Sequence, residues 1–143
     1  MPVWARRGII RMTQPSFTVS AAVVVINDVG HILLLNHVLR PASGWGAPGG
    51  FLNYGEQPHE TAEREIFEET GLNVSNLKMV LVQTINYHVE FWFVGTANGE
   101  ALAKSREIIE ARWFSFAEMP PEMSGKDRRM IEKALQIGEI SID

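Results

Sequence analysis

The sequence predicts a single α/β domain, a three-layer α/β/α sandwich built around a mixed β-sheet. Its 143 residues, 45% of them hydrophobic, are enough for one domain with a buried core. The predicted elements run strand, strand, acidic helix, strands and helix, an order that fits helices packed on both faces of one sheet. The sequence shows no internal repeat and no linker.

Residues 1–16 precede this pattern and show no clear helical or strand period. They carry Arg6, Arg7 and Arg11 and no acidic residue. We interpret the segment as an N-terminal arm or an extra strand, in front of a domain over residues 17–143. A targeting peptide is the alternative, which the shortness of the segment and its lack of a long apolar core disfavour.

Two strands are predicted next, and they form a hairpin. Residues 17–26 are rich in valine, and residues 31–36 carry an aliphatic run, as expected for buried strands. Asn-Asp-Val-Gly at 27–30 forms the turn, because Gly30 suits a positive φ. Residues 37–45 are predicted as a loop that leads into a glycine-rich stretch.

The second half of the chain predicts three further strands and a closing helix. Strands are expected at 77–85, 89–97 and 111–116, the second covered more on one face than on the other. The polar stretch 102–109 is expected to overhang the functional site. An amphipathic helix over 126–137 follows, with apolar residues available for burial.

Residues 49–72 carry the strongest functional signal. A tight turn at Pro48-Gly49-Gly50 leads into a helix that we expect to end at Gly71, a residue suited to a C-cap. The apolar side of this helix, expected to pack on the sheet, consists of Ala62, Ile66 and Phe67.

The acidic side of the same helix indicates a metal site. Glu65, Glu68 and Glu69 have the i, i+3, i+4 spacing that places side chains on one helical face. Three carboxylates on one face repel each other, and a hydrophobic core does not need them. A hard cation such as Mg²⁺ does, because it takes oxygen ligands from carboxylates and substrate phosphates.

The stretch resembles a known family motif. Gly50, five further residues, Glu56, seven further residues and the run Arg64-Glu65-Ile66-Phe67-Glu68-Glu69-Thr70-Gly71-Leu72 resemble the Nudix box at each defining position. At about 7% for a fixed glycine and about 6% for a fixed charged residue, a chance match is on the order of 10⁻⁷. The closing Glu-Ala-Arg-Trp-Phe, proline-terminated segment and helix also resemble a Nudix domain, so the resemblance extends over residues 17–138.

The resemblance implies a Nudix-like sandwich and a pyrophosphohydrolase that acts on acid anhydrides in phosphorus-containing compounds. In the family the positions of Glu65, Glu68 and Glu69 bind metal, and the carbonyl of the first glycine, here Gly49, is commonly a ligand. Mg²⁺ is the expected cofactor, with Mn²⁺ as a substitute.

The remaining catalytic positions follow from the same resemblance. Glu56 is expected to cap the helix or to act as an outer metal ligand, and Arg64 is expected to orient a box glutamate through an ion pair. The general base is either a box glutamate or a carboxylate from a loop. Glu107 is the best loop candidate, with Glu110 behind it.

Four residues outside the acidic face are candidates for substrate binding. Arg40 could reach a phosphate, and Phe51 and Tyr54 could stack on a base. Trp45 is a packing residue or a base-stacking one.

The expected substrate is a small nucleotide, a nucleoside diphosphate linked to another moiety, of ADP-ribose or nucleotide-sugar type. One alternative is a house-cleaning nucleoside triphosphate pyrophosphohydrolase, and another is a non-catalytic nucleotide-sensing module. The sensing module is disfavoured because such domains typically lose box carboxylates. A Nudix-like isoprenyl diphosphate isomerase is expected to need a cysteine, and the chain has none.

Composition excludes some partners. The net charge of −4 argues against a nucleic-acid binder, which would show a basic stripe. No apolar run reaches membrane-spanning length, so no membrane partner is expected and the cytoplasm is the predicted location. Many Nudix proteins are dimers, and the resemblance leaves a homodimer open.

Overall fold

A computed structural model of the chain describes residues 1–40 and 43–140. Residues 41–42, inside the predicted 37–45 loop, and residues 141–143, at the end of the predicted 17–143 domain, lie outside the described residues. The described part of the chain forms a seven-stranded sheet and three α-helices.

The strands are β1 (Thr18–Ile26), β2 (Ile32–His37), β3 (Trp45–Gly46), β4 (Gly49–Phe51), β5 (Ser75–Ile85), β6 (His88–Thr96) and β7 (Ile108–Phe114). The helices are α1 (Val3–Thr13), α2 (Pro58–Thr70) and α3 (Gly125–Ile137), with a short 3-10 helix at Phe116–Glu118. The strand predicted at 111–116 therefore begins three residues earlier than predicted and ends at Phe114, and Phe116 belongs to the 3-10 helix.

The sheet is mixed, as the sequence predicts. Its order is β3-β2-β1-β6-β5, with β4 also paired to β1 and β7 to β2. β1 runs antiparallel to β2 and β4 and parallel to β6. The predicted hairpin is confirmed by the antiparallel pairing of Ile26 with Ile32.

Each face of the sheet is covered by one helix, which confirms the sandwich. Successive side chains of a strand point to opposite faces. On β1, Val23 and Val25 belong to the core layer that contains Ile66 of α2. Val24 and Ile26 belong to the opposite layer, which contains Ile131 and Leu135 of α3. The prediction that β6 is covered mainly on one face is wrong, because Trp92, Phe93 and Val94 are all buried.

Helix α2 ends where the sequence predicts. Gly71 is its C-cap, with φ 77°, and glycine takes this left-handed conformation without a Cβ clash. Ala62 and Ile66 are fully buried against the sheet, whereas Phe67 is 55% exposed. The prediction that Phe67 packs on the sheet is wrong, because each residue turns the helix by about 100° and carries Phe67 away from the face of Ile66.

The glycine-rich entry to α2 also differs from expectation. Gly49 and Gly50 begin the extended strand β4 instead of forming a tight turn, and they pair with Ala22 and Ala21 of β1. A Cβ on Gly49 would lie 2.3 Å from the carbonyl oxygen of Ala21. The glycines therefore allow the backbones of β4 and β1 to approach each other closely.

The N-terminal segment is a helix, so the predicted extra strand is wrong. Residues Val3–Thr13 form α1, none of whose residues is buried. Ala5, Arg6 and Arg7 favour helix, and Pro2 immediately precedes it, where a missing N–H costs nothing. In residues 1–40 and 43–140, no helix combines the length and apolarity needed to cross a membrane.

The contrast between two neighbouring residues of α2 gives a stability prediction. Ile66→Ala should lower the free energy of unfolding by about 2–5 kcal/mol, because it removes a fully buried side chain and leaves a cavity. Phe67→Ala is the matched control, and its exposed ring should cost less than about 1 kcal/mol. Urea unfolding followed by circular dichroism measures both, and equal losses would contradict the packing described here.

Candidate active site

A cavity of about 400 Å³ lies beside β4 and the first halves of β1 and β6. His88, Glu90 and Trp92 of β6 line one wall, and Lys126 and Asp127 line another at the start of α3. Residues of β1 and β4 also contribute to the lining, together with His37, Arg40, Ala47 and Ile85. The cavity thus combines aromatic rings with groups of both charges.

Arg64 of α2 connects the acidic face of the helix to β4. Its Nε and Nη2 donate to Glu56 at 2.8 and 3.0 Å. Its Nη1 donates to Glu65 at 2.9 Å and to Glu68 at 3.1 Å. Nη2 also donates to the carbonyl oxygen of Phe51 at 3.2 Å. One guanidinium therefore holds three carboxylates and a strand.

Glu56 is fully occupied by donors. Besides Arg64, it accepts from the N–H of Asn53 at 3.1 Å and from the hydroxyl of Thr61. The hydrogen bond from Arg64 is the main reason that the pKa of Glu56 is lowered to about 2. Gln57, not Glu56, is the N-cap residue of α2, so the capping role expected of Glu56 is wrong.

Glu65 has the opposite electrostatic environment. Burial and the neighbouring charge of Glu69 raise its pKa to about 7, although Arg64 favours its ionised form. Its carboxylate lies against the backbone of β4, because a Cβ on Gly50 would be only 2.4 Å from its Oε1. Glycine at this position is therefore what lets the box carboxylate reach the strand.

Glu69 is the most deeply buried box carboxylate, with 3% of the residue exposed. Its Oε1 accepts from the N–H of Gly49 at 3.1 Å, and its Oε2 lies 3.6 Å from Nε2 of His37. The side chain of Glu68 is instead 55% exposed. A buried carboxylate with so few donors has a high desolvation cost unless a cation compensates it.

Arg40 and Phe51 line the cavity, whereas the other two predicted substrate residues do not. Arg40 pairs with Asp127 at 3.1 Å. The ring of Phe51 is 63% exposed and meets the His88 ring edge-on, at 5.6 Å between centroids.

Trp45 and Tyr54 lie elsewhere. Trp45 is 7% exposed and packs edge-to-face on Phe114 in the core, at 5.2 Å between centroids. Tyr54 is fully exposed and lies in a separate shallow depression with Phe17. The structure therefore brings neither residue to the cavity.

Glu107 lies beside the site without touching the box. Its backbone carbonyl accepts from the N–H of Val38 at 2.8 Å, and the N–H of Lys104 donates to the carbonyl of Glu69 at 2.9 Å. The loop thus adjoins the end of α2. Within residues 1–40 and 43–140, no hydrogen bond or ion pair joins the exposed carboxylate of Glu107 to the box. Glu110 pairs with Arg112.

His37, Lys126 and Asp127 line the cavity, and the sequence patterns predict no role for them. His37 is the last residue of a buried strand that leads into the glycine-rich stretch, which was an available signal. The positions of Lys126 and Asp127 depend on how α3 packs, and no local pattern gives that.

A family model and two curated relatives match most of the chain. A family model described as the NUDIX domain matches residues 16–134. A candidate 8-oxo-dGTP diphosphatase of Bacillus subtilis is 33% identical over 118 residues, which cover 80% of this chain and 78% of that relative. The NAD-capped RNA hydrolase NudC of Mannheimia succiniciproducens is 33% identical over 127 residues, which cover 80% of this chain and 47% of that relative. The chain therefore spans about half the length of that hydrolase.

Solved structures share the fold. The MutT NUDIX hydrolase of Burkholderia pseudomallei superposes with a TM-score of 0.71 at 25% identity, covering 84% of this chain and 98% of that one. The NUDIX domain of Shewanella oneidensis NrtR, solved with ADP ribose, gives a TM-score of 0.78 at 18% identity and covers 95% of this chain and 98% of that one. NUDIX hydrolases act on nucleotide-type substrates and generally need divalent metal ions. The match over residues 16–134, the complete box and the shared sandwich show that this chain belongs to the NUDIX hydrolase family.

Proposed function

We propose that this protein hydrolyses a phosphoanhydride bond in a nucleoside diphosphate linked to another moiety, of ADP-ribose or nucleotide-sugar type. Mg²⁺ is the proposed cofactor, and Mn²⁺ is a proposed substitute. The observation that carries the proposal is the buried carboxylate of Glu69, held against Gly49 at the edge of a nucleotide-sized cavity.

The residues at this edge fit a divalent cation. In the part of the chain that the structure describes, Glu69 has one backbone donor, and the Nε2 atom of His37, which faces Glu69, has no hydrogen-bond partner. The N–H of Gly49 points at Glu69, and in an extended residue the carbonyl faces the same side of the strand. We propose that Glu69, Glu65, Glu68 and the carbonyl of Gly49 hold the cation.

Arg64 would have to share its carboxylates with that cation. In residues 1–40 and 43–140, no three histidine or acidic side chains form a ready-made metal cluster. Glu65 and Glu68 both face Nη1 of Arg64, so cation binding would replace these contacts. The paired donors to Glu56 use other nitrogens and can persist. Glu56 would therefore support the ligands, without joining them.

The chemistry divides between the cation and the cavity. When bound, a divalent cation would neutralise phosphate charge and activate water. Arg40 and Lys126 would attract the phosphates, although each is balanced by an acid, Asp127 at 3.1 Å and Glu90 at 3.5 Å. The exposed ring of Phe51 offers a stacking surface to a base.

The names of relatives support this substrate class and a second one. NAD is itself a nucleoside diphosphate linked to another moiety, and the Mannheimia relative is named for hydrolysing NAD-capped RNA. A nucleoside triphosphate pyrophosphohydrolase is the second candidate, because the Bacillus relative named as an 8-oxo-dGTP diphosphatase matches over most of its length. The three box glutamates argue against a non-catalytic sensing module.

Product analysis with Mg²⁺ tests the proposal over ADP-ribose, nucleotide sugars, NAD, NAD-capped RNA and the nucleoside triphosphates. We expect cleavage of a diphosphate-linked substrate, and Glu69→Gln should lower turnover by at least about 100-fold, because it removes a buried metal ligand. Glu63→Gln is the matched control, since Glu63 is an exposed glutamate of the same helix.

Three other outcomes would redirect the proposal. Pyrophosphate release from triphosphates alone would favour the second candidate. Binding of a nucleotide without any cleavage by the wild type would favour a sensing module. Turnover that survives Glu69→Gln would remove Glu69 from the metal site.

Glu107→Gln tests the loop carboxylate as general base. Turnover should fall by about 10² or more while metal binding is unchanged, in the range that loss of a general base costs. Glu110→Gln is the control, because Glu110 is occupied by Arg112. Unchanged turnover in the Glu107 variant would leave a box glutamate as the base.

The raised pKa of Glu65 predicts a pH dependence of folding in the metal-free protein. The folded pKa is about 7, above the ordinary value of 4.5, so the fold favours the protonated form. The contribution of Glu65 to the stability of the folded state is fully present below about pH 4.5 and is lost as the pH rises to about 7. With a chelator present, the unfolding free energy of the wild type should fall over this window relative to Glu65→Gln. Parallel profiles from urea titrations would contradict the shift.

A further inference from the structure

We propose that His37 is a ligand of the divalent cation through Nε2, an assignment that rests on the proposed function and adds a nitrogen donor to its oxygen site. His37 is the last residue of β2, and its side chain is 13% exposed. Its Nε2 is buried and has no hydrogen-bond partner among the described residues, 1–40 and 43–140. Buried polar atoms rarely lack a partner, so we expect Nε2 to bind a partner such as a metal ion.

The other ring nitrogen fixes the state of the imidazole. Nδ1 lies 3.0 Å from the carbonyl oxygen of Gly44, and a carbonyl can only accept, so Nδ1 carries the proton. In the neutral ring Nε2 then has a lone pair. Metal-binding histidines almost always donate their second ring N–H to a carboxylate, a carbonyl or water, and His37 has this arrangement.

The orientation of the ring is also fixed by the backbone. The N–H of His37 donates to the same Gly44 carbonyl at 2.6 Å. A Cβ on Gly44 would lie 2.6 Å from the carbonyl oxygen of His37, so only glycine allows the loop to close on the strand. The imidazole is thereby held with Nε2 directed at Glu69.

The distance between the two side chains suits a shared cation. Nε2 lies 3.6 Å from Oε2 of Glu69, which is longer than an ordinary hydrogen bond. Two ligands that each bind one cation at about 2.1 Å, at angles of 90° to 120°, are roughly 3.0 to 3.6 Å apart. A protonated His37 paired with Glu69 would occupy the same place without metal, and the test separates the two cases.

The nitrogen ligand has a consequence for metal choice. Imidazole favours transition-metal ions, whereas Mg²⁺ prefers oxygen ligands. The site should therefore bind Co²⁺ more tightly, relative to Mg²⁺, than an all-oxygen site would.

Pulsed electron paramagnetic resonance of the Mn²⁺-loaded protein tests the assignment. We expect a directly coordinated nitrogen in the wild type, and selective ¹⁵N-histidine labelling should change its coupling. His37→Asn should abolish it, because asparagine keeps a donor for the Gly44 carbonyl but lacks Nε2. His31→Asn, at the β1–β2 hairpin, should keep it. His88 does not compete, because Ser20 and Thr18 already contact its two ring nitrogens.

Titration calorimetry gives a second readout. His37→Asn should lose at least about tenfold in Co²⁺ affinity and less than about threefold in Mg²⁺ affinity. Mn²⁺ binding that depends on Glu69 but shows no histidine nitrogen in the wild type would overturn the role of His37 and leave the oxygen site standing. Equal Mn²⁺ affinity in Glu69→Gln and wild type would overturn the metal site itself, and His37 with it.

Discussion

The guanidinium of Arg64 is the interaction on which the geometry of the box depends. Four acidic side chains crowd one side of α2 and its entry, and Arg64 is the cation that contacts three of them. Its contacts are of two kinds. The two-nitrogen contact with Glu56 is fixed by further donors from Thr61 and Asn53, whereas Nη1 is divided between two carboxylates. The charge of Glu56 is therefore permanently neutralised by Arg64, whereas the contacts of Arg64 with Glu65 and Glu68 are exchangeable.

The same guanidinium connects the helix α2 to the strand β4. By donating to the carbonyl of Phe51, it ties the C-terminal end of β4 to the box helix. The other end of β4 is held by the Gly49 N–H on Glu69. A short strand is thus clamped between a helix and β1, and the two glycines supply the space. This explains why the box needs glycine and glutamate together.

Local patterns in the sequence predicted most of the fold and part of the site. The valine-rich run of β1 and the C-cap at Gly71 are local signals, and both predictions are confirmed. The prediction that Phe67 packs on the sheet is wrong because hydrophobicity alone does not give the angle at which a helix lies on a sheet. The sequence predicts a turn at Gly49 and Gly50 because the approach of β1, more than 25 residues earlier, has no local signal. The sequence predicts no role for His37 because that role depends on its contacts with Gly44 and Glu69 together.

The pairing of β1 with β6 has a kinetic consequence. His88 contacts Thr18 and Ser20, which are 70 and 68 residues earlier, and the two strands run parallel along their length. Parallel pairing over such separations has a high loop-closure cost and a high contact order, so it forms slowly. The cavity wall that these strands share is completed only when this pairing is in place. A nascent or partly folded chain can therefore hold the box helix while lacking the pocket, and the proposed nucleotide binding would be confined to molecules that have finished folding.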